Sequence, residues 1–453
     1  MQQPAHRMFN TSLTTCLVLL PSKKEDYDDE PYSKEESATI VDPEDYLHGD
    51  DLEGIPSLLN HPHFLLLYVP GKDEEKTKMK LVKPSTDPIH RRRIMKRVIT
   101  ASGDDNNQDV PLPHYALSHL WKTSKHGHQW EDIGLYVDDE YGNPVEPVSM
   151  RPEKRDTILA LLRDHPDSYW WIDVLCARTD TPLDIMGDIY AQCSTCYAMI
   201  DCDDKTIPKL RHYMDRIPDQ ESYWKKRLKR LKMNDPQYEY TFKQYKQAVD
   251  VLDTFMERDW WKRVWTWQEM VLPREVVFLA ETATEVSGTH MLDMESLSRL
   301  EKNLQTESFR LPGKPLKRTG SARLMEMKRS RDAGEAFRDE RISLWTLNHL
   351  FKAFERSSRR CMDPVDYVYG VLGVLGFKIR RMDDPQQVWH CFFAELDNFL
   401  TDVKRRSMID QRDEMFAAIG VNQDMKNFDL QAAQCMSDVY TGLLDIDMFT
   451  VMV

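Results

Sequence analysis

From residue 114 onward, short apolar runs alternate with amphipathic stretches, and this alternation sets the expectation for the fold. "HYALSHLW" (114–121) reads as a short apolar strand. "PEKRDTILALLRDH" (152–165) reads as a helix, with Pro152 in its first turn, an apolar side made by Ile158, Leu159, Leu161 and Leu162, and Pro166 to close it. "YWWIDVLC" (169–176) shows no polar alternation before Asp173, as in a strand buried on both faces. "TPLDIMGDIYAQCS" (181–194) predicts a helix capped by Thr181, with Leu183, Met186, Tyr190 and Cys193 on one face. "TCYAMIDCD" (195–203) and "EVVFLAE" (275–281) follow as strands, separated by a charged insertion at about 204–245 and a long helix. Strands alternating with helices predict an α/β fold around a parallel sheet.

The flanks read differently. Upstream, "HFLLLYVP" (63–70) and "KMKLVKP" (78–84) predict a strand pair across a charged turn, and "LTTCLVLLP" near the start predicts another strand. Residues 22–60 between them are acidic and turn-rich, in keeping with a solvated linker. Downstream of about residue 286 the pattern is mostly helical, clearest in "SLWTLNHLFKAFERSSRRC" and "QQVWHCFFAELDNFLTDV". The expected organisation is therefore an N-terminal strand-bearing segment (1–110), an α/β domain (111–285) and a helical C-terminal region (286–453).

Composition narrows the class. A hydrophobic content of 41% with 10% aromatics supports a packed core and excludes global disorder. The net charge of -14 argues against nucleic acid as a partner, because polyanion binding needs clustered positive charge. Two basic runs, "RRRIMKR" (91–97) and "KKRLKRLK" (225–232), are of the localisation or anion-binding type, and the second also suits a solvated helix face. Eight cysteines without a disulfide framework suggest a reducing, cytoplasmic setting. The apolar part of "LTTCLVLLP" is far shorter than the ~20 residues of a membrane span, so no membrane association is expected.

Candidate chemistry centres on "DWWKRVWTWQEM" (259–270), with four tryptophans and one glutamate. Read as a continuous helix, it puts Trp260, Val264, Trp267 and Val271 on one stripe and Trp261 and Trp265 on its shoulder, with Glu269 one turn beyond Trp265. A carboxylate against an apolar wall has a raised pKa and is able to stabilise an oxocarbenium-like centre. The alternative is that Glu269 pairs or caps locally while the tryptophans anchor the segment. Asp173 stands near the carboxyl end of its strand, the edge where α/β sheets bind ligands, but also suits a loop brace. Arg178 in the next loop is able to meet a phosphate, although exposed arginines commonly have no specific partner. "CSTC" (193–196) lacks a second His/Cys pair at zinc spacing, so its cysteines read as buried apolar residues and no metal is assigned. Ser118 and His119 are strand neighbours that point to opposite faces, so they do not form a nucleophile–base pair with each other. No glycine-rich phosphate loop is present, which disfavours P-loop and dinucleotide-binding enzymes.

"YALSHLW", "WWIDVLCARTDTPLDIMGDIYAQCS" and "WWKRVWTWQEM" resemble, in order, the three signature blocks of the heterokaryon-incompatibility (HET) domain of fungal proteins. "RRCMDPVDYVYGVLGVLGF" (359–377) is similar to the segment that commonly follows it. The chain departs from the family pattern at Lys122, after Trp121, and at Ala177, Arg178 and Thr179, after Cys176. The resemblance implies a cytoplasmic signalling protein of self/non-self recognition or regulated cell death, acting through protein partners or self-association. It also implies a flavodoxin-like sheet similar to the Toll/interleukin-receptor (TIR) domain. By analogy with enzymatic TIR domains, Glu269 is the candidate catalytic residue for cleaving NAD as a substrate, with no bound cofactor. The ligand-binding candidates are Asp173, Arg178, Trp265 and Trp121. A non-catalytic interaction module is the further alternative.

Overall fold

The computed structural model describes residues 56–74, 77–102, 110–120, 128–215, 223–232, 234–304, 319–338, 344–410 and 419–446. The expected strand in "LTTCLVLLP", nearly all of the acidic stretch 22–60, and Trp121 lie outside the described residues.

In chain order the strands are β1 (Leu66–Val69), β2 (Met79–Val82), β3 (Leu112–Ser118), β4 (Gln129–Trp130), β5 (Val137–Asp138), β6 (Val148–Ser149), β7 (Ser168–Ile172), β8 (Cys193–Ile200), β9 (Val276–Ala280), β10 (Met291–Asp293), β11 (Ile419–Val421) and β12 (Leu444–Ile446). Eight of them form one mixed sheet in the order β10-β9-β8-β3-β7-β1-β2-β5. Its centre, β9-β8-β3-β7, is parallel throughout. Ranked by sequence, these four strands run 2-1-3-4, so the direction of winding reverses between β3 and β8. In an open α/β sheet such a reversal opens a crevice at the carboxyl ends of the strands, where ligands bind.

The central strands are apolar because both of their faces are covered. Every residue of β7 is buried, as are seven of the eight in β8. The expected β1–β2 pair forms with antiparallel register, Leu66 opposite Val82. The helix Pro152–Asp164 starts with proline in its first turn, where the absent N–H leaves no bond unmade.

Three local expectations need correction. The strand expected over 169–176 ends at Ile172, because Asp173 starts a helical turn, its carboxylate accepting the Val174 N–H at 2.7 Å. The next helix begins at Ile185 rather than Thr181, whose hydroxyl instead accepts the Arg178 N–H at 2.8 Å. The tryptophan run is not one helix. The helix Pro236–Met256 stops before it, Asp259–Lys262 forms a 3-10 turn, and Thr266–Val271 is a separate short helix. Between the two pieces the backbone pairs elsewhere: the Arg360 N–H donates to Lys262 O at 2.6 Å and the Val264 N–H to Arg360 O at 3.2 Å. The 3-10 turn lets adjacent Trp260 and Trp261 both bury, which the single stripe of a helix would not allow.

The C-terminal helices share the core of the α/β sheet. The helix Asp366–Leu375 crosses Ile185–Gln192 at a glycine pair: a Cβ on Gly187 would come within 2.4 Å of Gly373 Cα. Among the described residues, no helix is long and apolar enough to cross a membrane.

Gly187→Ala tests this crossing. Alanine gains up to ~1 kcal/mol of helix propensity over glycine, yet the contact is backbone on backbone and has no side chain to move aside. The expected net loss is about 1–3 kcal/mol in urea unfolding. Gly420→Ala, where a Cβ meets nothing within 4 Å, is the control. A Gly187→Ala protein as stable as the parent would contradict the crossing.

Candidate functional site

β3 and β8 deliver their carboxyl ends to the winding reversal, and the tryptophan segment closes over them. The Trp260 indole N–H donates to Ser118 Oγ at 2.8 Å, and the Ser118 hydroxyl donates to Glu269 Oε2 in a short hydrogen bond. Asp201, just past β8, accepts the backbone N–H groups of Asp259 and Trp260 at 3.2 and 3.0 Å, holding the 3-10 turn. Below it, the Thr266 hydroxyl donates to Trp260 O and Arg263 O. Buried Arg359 donates to Thr266 Oγ1 and Arg263 O and lies 5.2 Å from the centre of the Trp267 ring.

Glu269 is only 8% exposed. Burial pushes its carboxyl up to about 7; the Ser118 hydrogen bond and the charges of Arg263 and Arg359 oppose that rise, while Asp173 adds to it. The carboxyl therefore changes charge near neutral pH, which suits proton transfer. Its position suits that role less well, because Ser118 already occupies one oxygen and the residue is enclosed.

A second polar chain starts at the adjacent residue. His119 Nε2 lies 2.8 Å from Asp173 Oδ1, and the Lys154 ammonium lies 3.3 Å from His119 Nδ1. A charged Lys154 only donates, so Nδ1 accepts in that contact, whereas the approach of Nε2 to Asp173 is a close polar contact without the alignment of a hydrogen bond. Lys154 also donates to Leu120 O at 2.6 Å and lies 3.6 Å from Glu281, whose other oxygen takes Arg151. Burial lowers the Lys154 ammonium's pKa, and the Glu281 charge opposes that fall. Residues from β3, the turn after β7, the helix Pro152–Asp164 and the end of β9 thus meet at one edge of the sheet.

The sequence candidates separate. Asp173 and Glu269 share this edge closely enough for the Asp173 charge to act on Glu269. Arg178 points elsewhere, pairing with Glu140 at 3.0 Å and donating to Leu175 O. The Trp265 indole donates to the Asp366 carboxyl, which burial pushes up to about 6. Ser118, His119, Lys154, Trp260 and Asp201 are the members that sequence reasoning did not bring together. The available signal was "SHL" at the end of an apolar strand, since polar residues there face the ligand edge. The cysteines of "CSTC" are buried, and burial raises both thiol pKa values, so neither is a ready thiolate.

The sign of the Glu269 shift gives a pH prediction. The native state holds this proton more tightly than the unfolded chain does. The stabilisation is therefore fully present below about 4.5 and is lost as pH rises through about 7. Glu269→Gln stays neutral and lacks that dependence. Relative to the parent, it should gain about 1–3 kcal/mol in unfolding free energy across this window. Parallel stability curves for the two proteins would show an unshifted carboxyl.

In comparison with known proteins, residues 114–269 match the family model described as Heterokaryon incompatibility protein (HET). No curated protein and no solved structure matches the chain. The matched span opens in β3 and closes at Glu269, so it includes both polar chains except for Glu281 at the end of β9 and Arg359 in the C-terminal region. The chain carries a heterokaryon-incompatibility (HET) domain over residues 114–269.

Proposed function

We propose that this HET-domain protein is a signalling protein of heterokaryon incompatibility or a related cell-death response. In this reading it acts by associating with a protein partner or a second copy of itself. The HET domain supports the biological setting. The observation that carries the mode of action is the state of Glu269: enclosed and hydrogen-bonded to Ser118, which in turn accepts from the Trp260 indole, it has the character of a packing element. The excursion between β3 and β7 meanwhile exposes large side chains, with Leu135 at 70% and Tyr141 at 81%. Exposed aromatic and aliphatic groups of this kind anchor protein interfaces once water is excluded.

One observation favours a second reading. A carboxyl that titrates at about 7 beside a charged Asp173 has the electrostatics of an acid–base pair. NAD cleavage would then require the tryptophan segment to lift, freeing Glu269 from Ser118.

Sedimentation of the full chain across a concentration series, with NAD consumption followed in the same samples, separates the two. The expected result is concentration-dependent association, weakened about tenfold or more by Leu135→Ser with Tyr141→Ser, and no NAD consumed. NAD turnover that Glu269→Gln abolishes, in a variant of unchanged fold, would overturn the association reading in favour of catalysis.

A further inference from the structure

The opposite edge of the sheet holds a cavity, apart from both polar chains. Its volume is about 670 Å³, within the ~300–1,000 Å³ of small-molecule sites. It lies at the amino end of the parallel strands, where β1 turns away beside the start of β7. It is therefore separate from the Ser118–Glu269 edge; Leu135, an interface residue in the reading above, also lines it.

Its walls divide by chemistry. Leu159 and Leu162 of the helix Pro152–Asp164, with Val69 and Met79 of the sheet, make an apolar inner side, and Tyr136 adds an aromatic ring. Lys72, Lys78 and Arg163 lie on its exposed outer side. Among the described residues no carboxylate lines the cavity, in a chain whose net charge is -14. Lys78 is held in place, donating to Gly134 O at 2.9 Å and Asp138 Oδ1 at 3.0 Å. Among the described residues, neither Lys72 nor Arg163 has an anionic partner. Lys78 is already compensated by Asp138, so Lys72 and Arg163 are the two cations at the opening that a doubly charged anion would satisfy. Arginine's fork also matches phosphate oxygens in pairs.

We propose that this cavity binds a small aromatic phosphate, about the size of a nucleoside monophosphate. The ring lies along Tyr136, Leu159 and Leu162, and the phosphate meets Arg163 and Lys72 at the mouth. Neither half of such a ligand satisfies the site alone. The ring without the phosphate leaves Lys72 and Arg163 unpaired, and the phosphate without the ring leaves the apolar wall in water.

Titration calorimetry on the full chain, with adenosine monophosphate as the probe and adenosine and inorganic phosphate as separate controls, tests this. The expected result is saturable one-site binding of the monophosphate, with each control at least about tenfold weaker. Lys72→Ala with Arg163→Ala should weaken the monophosphate about tenfold or more, and both positions are exposed, so the fold should survive. Tyr136→Ala should weaken the monophosphate and leave the response to inorganic phosphate unchanged. The proposal is overturned by no saturable binding to folded protein, by binding indifferent to the double substitution, or by inorganic phosphate binding as tightly as the monophosphate.

Discussion

The Ser118 hydroxyl accepts from the Trp260 indole and donates to the Glu269 carboxyl, and the carboxyl-end edge of the sheet is organised around that one group. Its partners lie 142 and 151 residues away in the chain. A buried carboxyl is costly unless it is neutral or hydrogen-bonded. Here it is hydrogen-bonded, and its raised pKa keeps it largely protonated below neutrality. Removing the hydroxyl would leave an indole N–H and a carboxyl without their partner in a dry site, which costs more than a hydrogen bond contributes when made. This asymmetry makes Ser118 a constraint on the fold, not an accessory to it.

The C-terminal region explains why the tryptophan segment takes its shape. Arg360 supplies the backbone partner that keeps residues 262–264 from continuing a helix, and Arg359 reaches the Arg263 carbonyl, Thr266 and the face of Trp267. Asp366 binds the Trp265 indole, and Gly370 lets Val264 approach the helix Asp366–Leu375. The fourth sequence block is thus the packing partner of the third. Glu269 is enclosed from two sides, by β3 and by helices that follow the matched HET span.

What was legible in the sequence follows from locality. The parallel strands were readable because burial on both faces leaves uninterrupted apolar runs, and the helix at Pro152 because proline has one favourable place in a helix. The tryptophan run was misread because helical periodicity describes a backbone bonded to itself, whereas this one bonds to Arg360. Glu269 was recognisable as a carboxyl against aromatic rings, but its partner was not, since nothing local ties residue 269 to residue 118. The opposite-face argument for Ser118 and His119 agrees with their separate partners, Glu269 for one and Asp173 with Lys154 for the other. The basic run at 91–97 is largely a docking face: Arg93 and Arg97 lie 3.7 and 2.6 Å from Asp167, and Arg91 bonds Leu59 O and Asn60.

The most direct test is a double-mutant cycle on unfolding free energy with Ser118→Ala, Glu269→Leu and the pair together, at a pH below the Glu269 transition. If the hydroxyl and carboxyl act as one unit, the double substitution costs less than the sum of the singles by about 1–3 kcal/mol. Additivity within about 0.3–0.5 kcal/mol would show two independent residues and contradict the organising role given to Ser118.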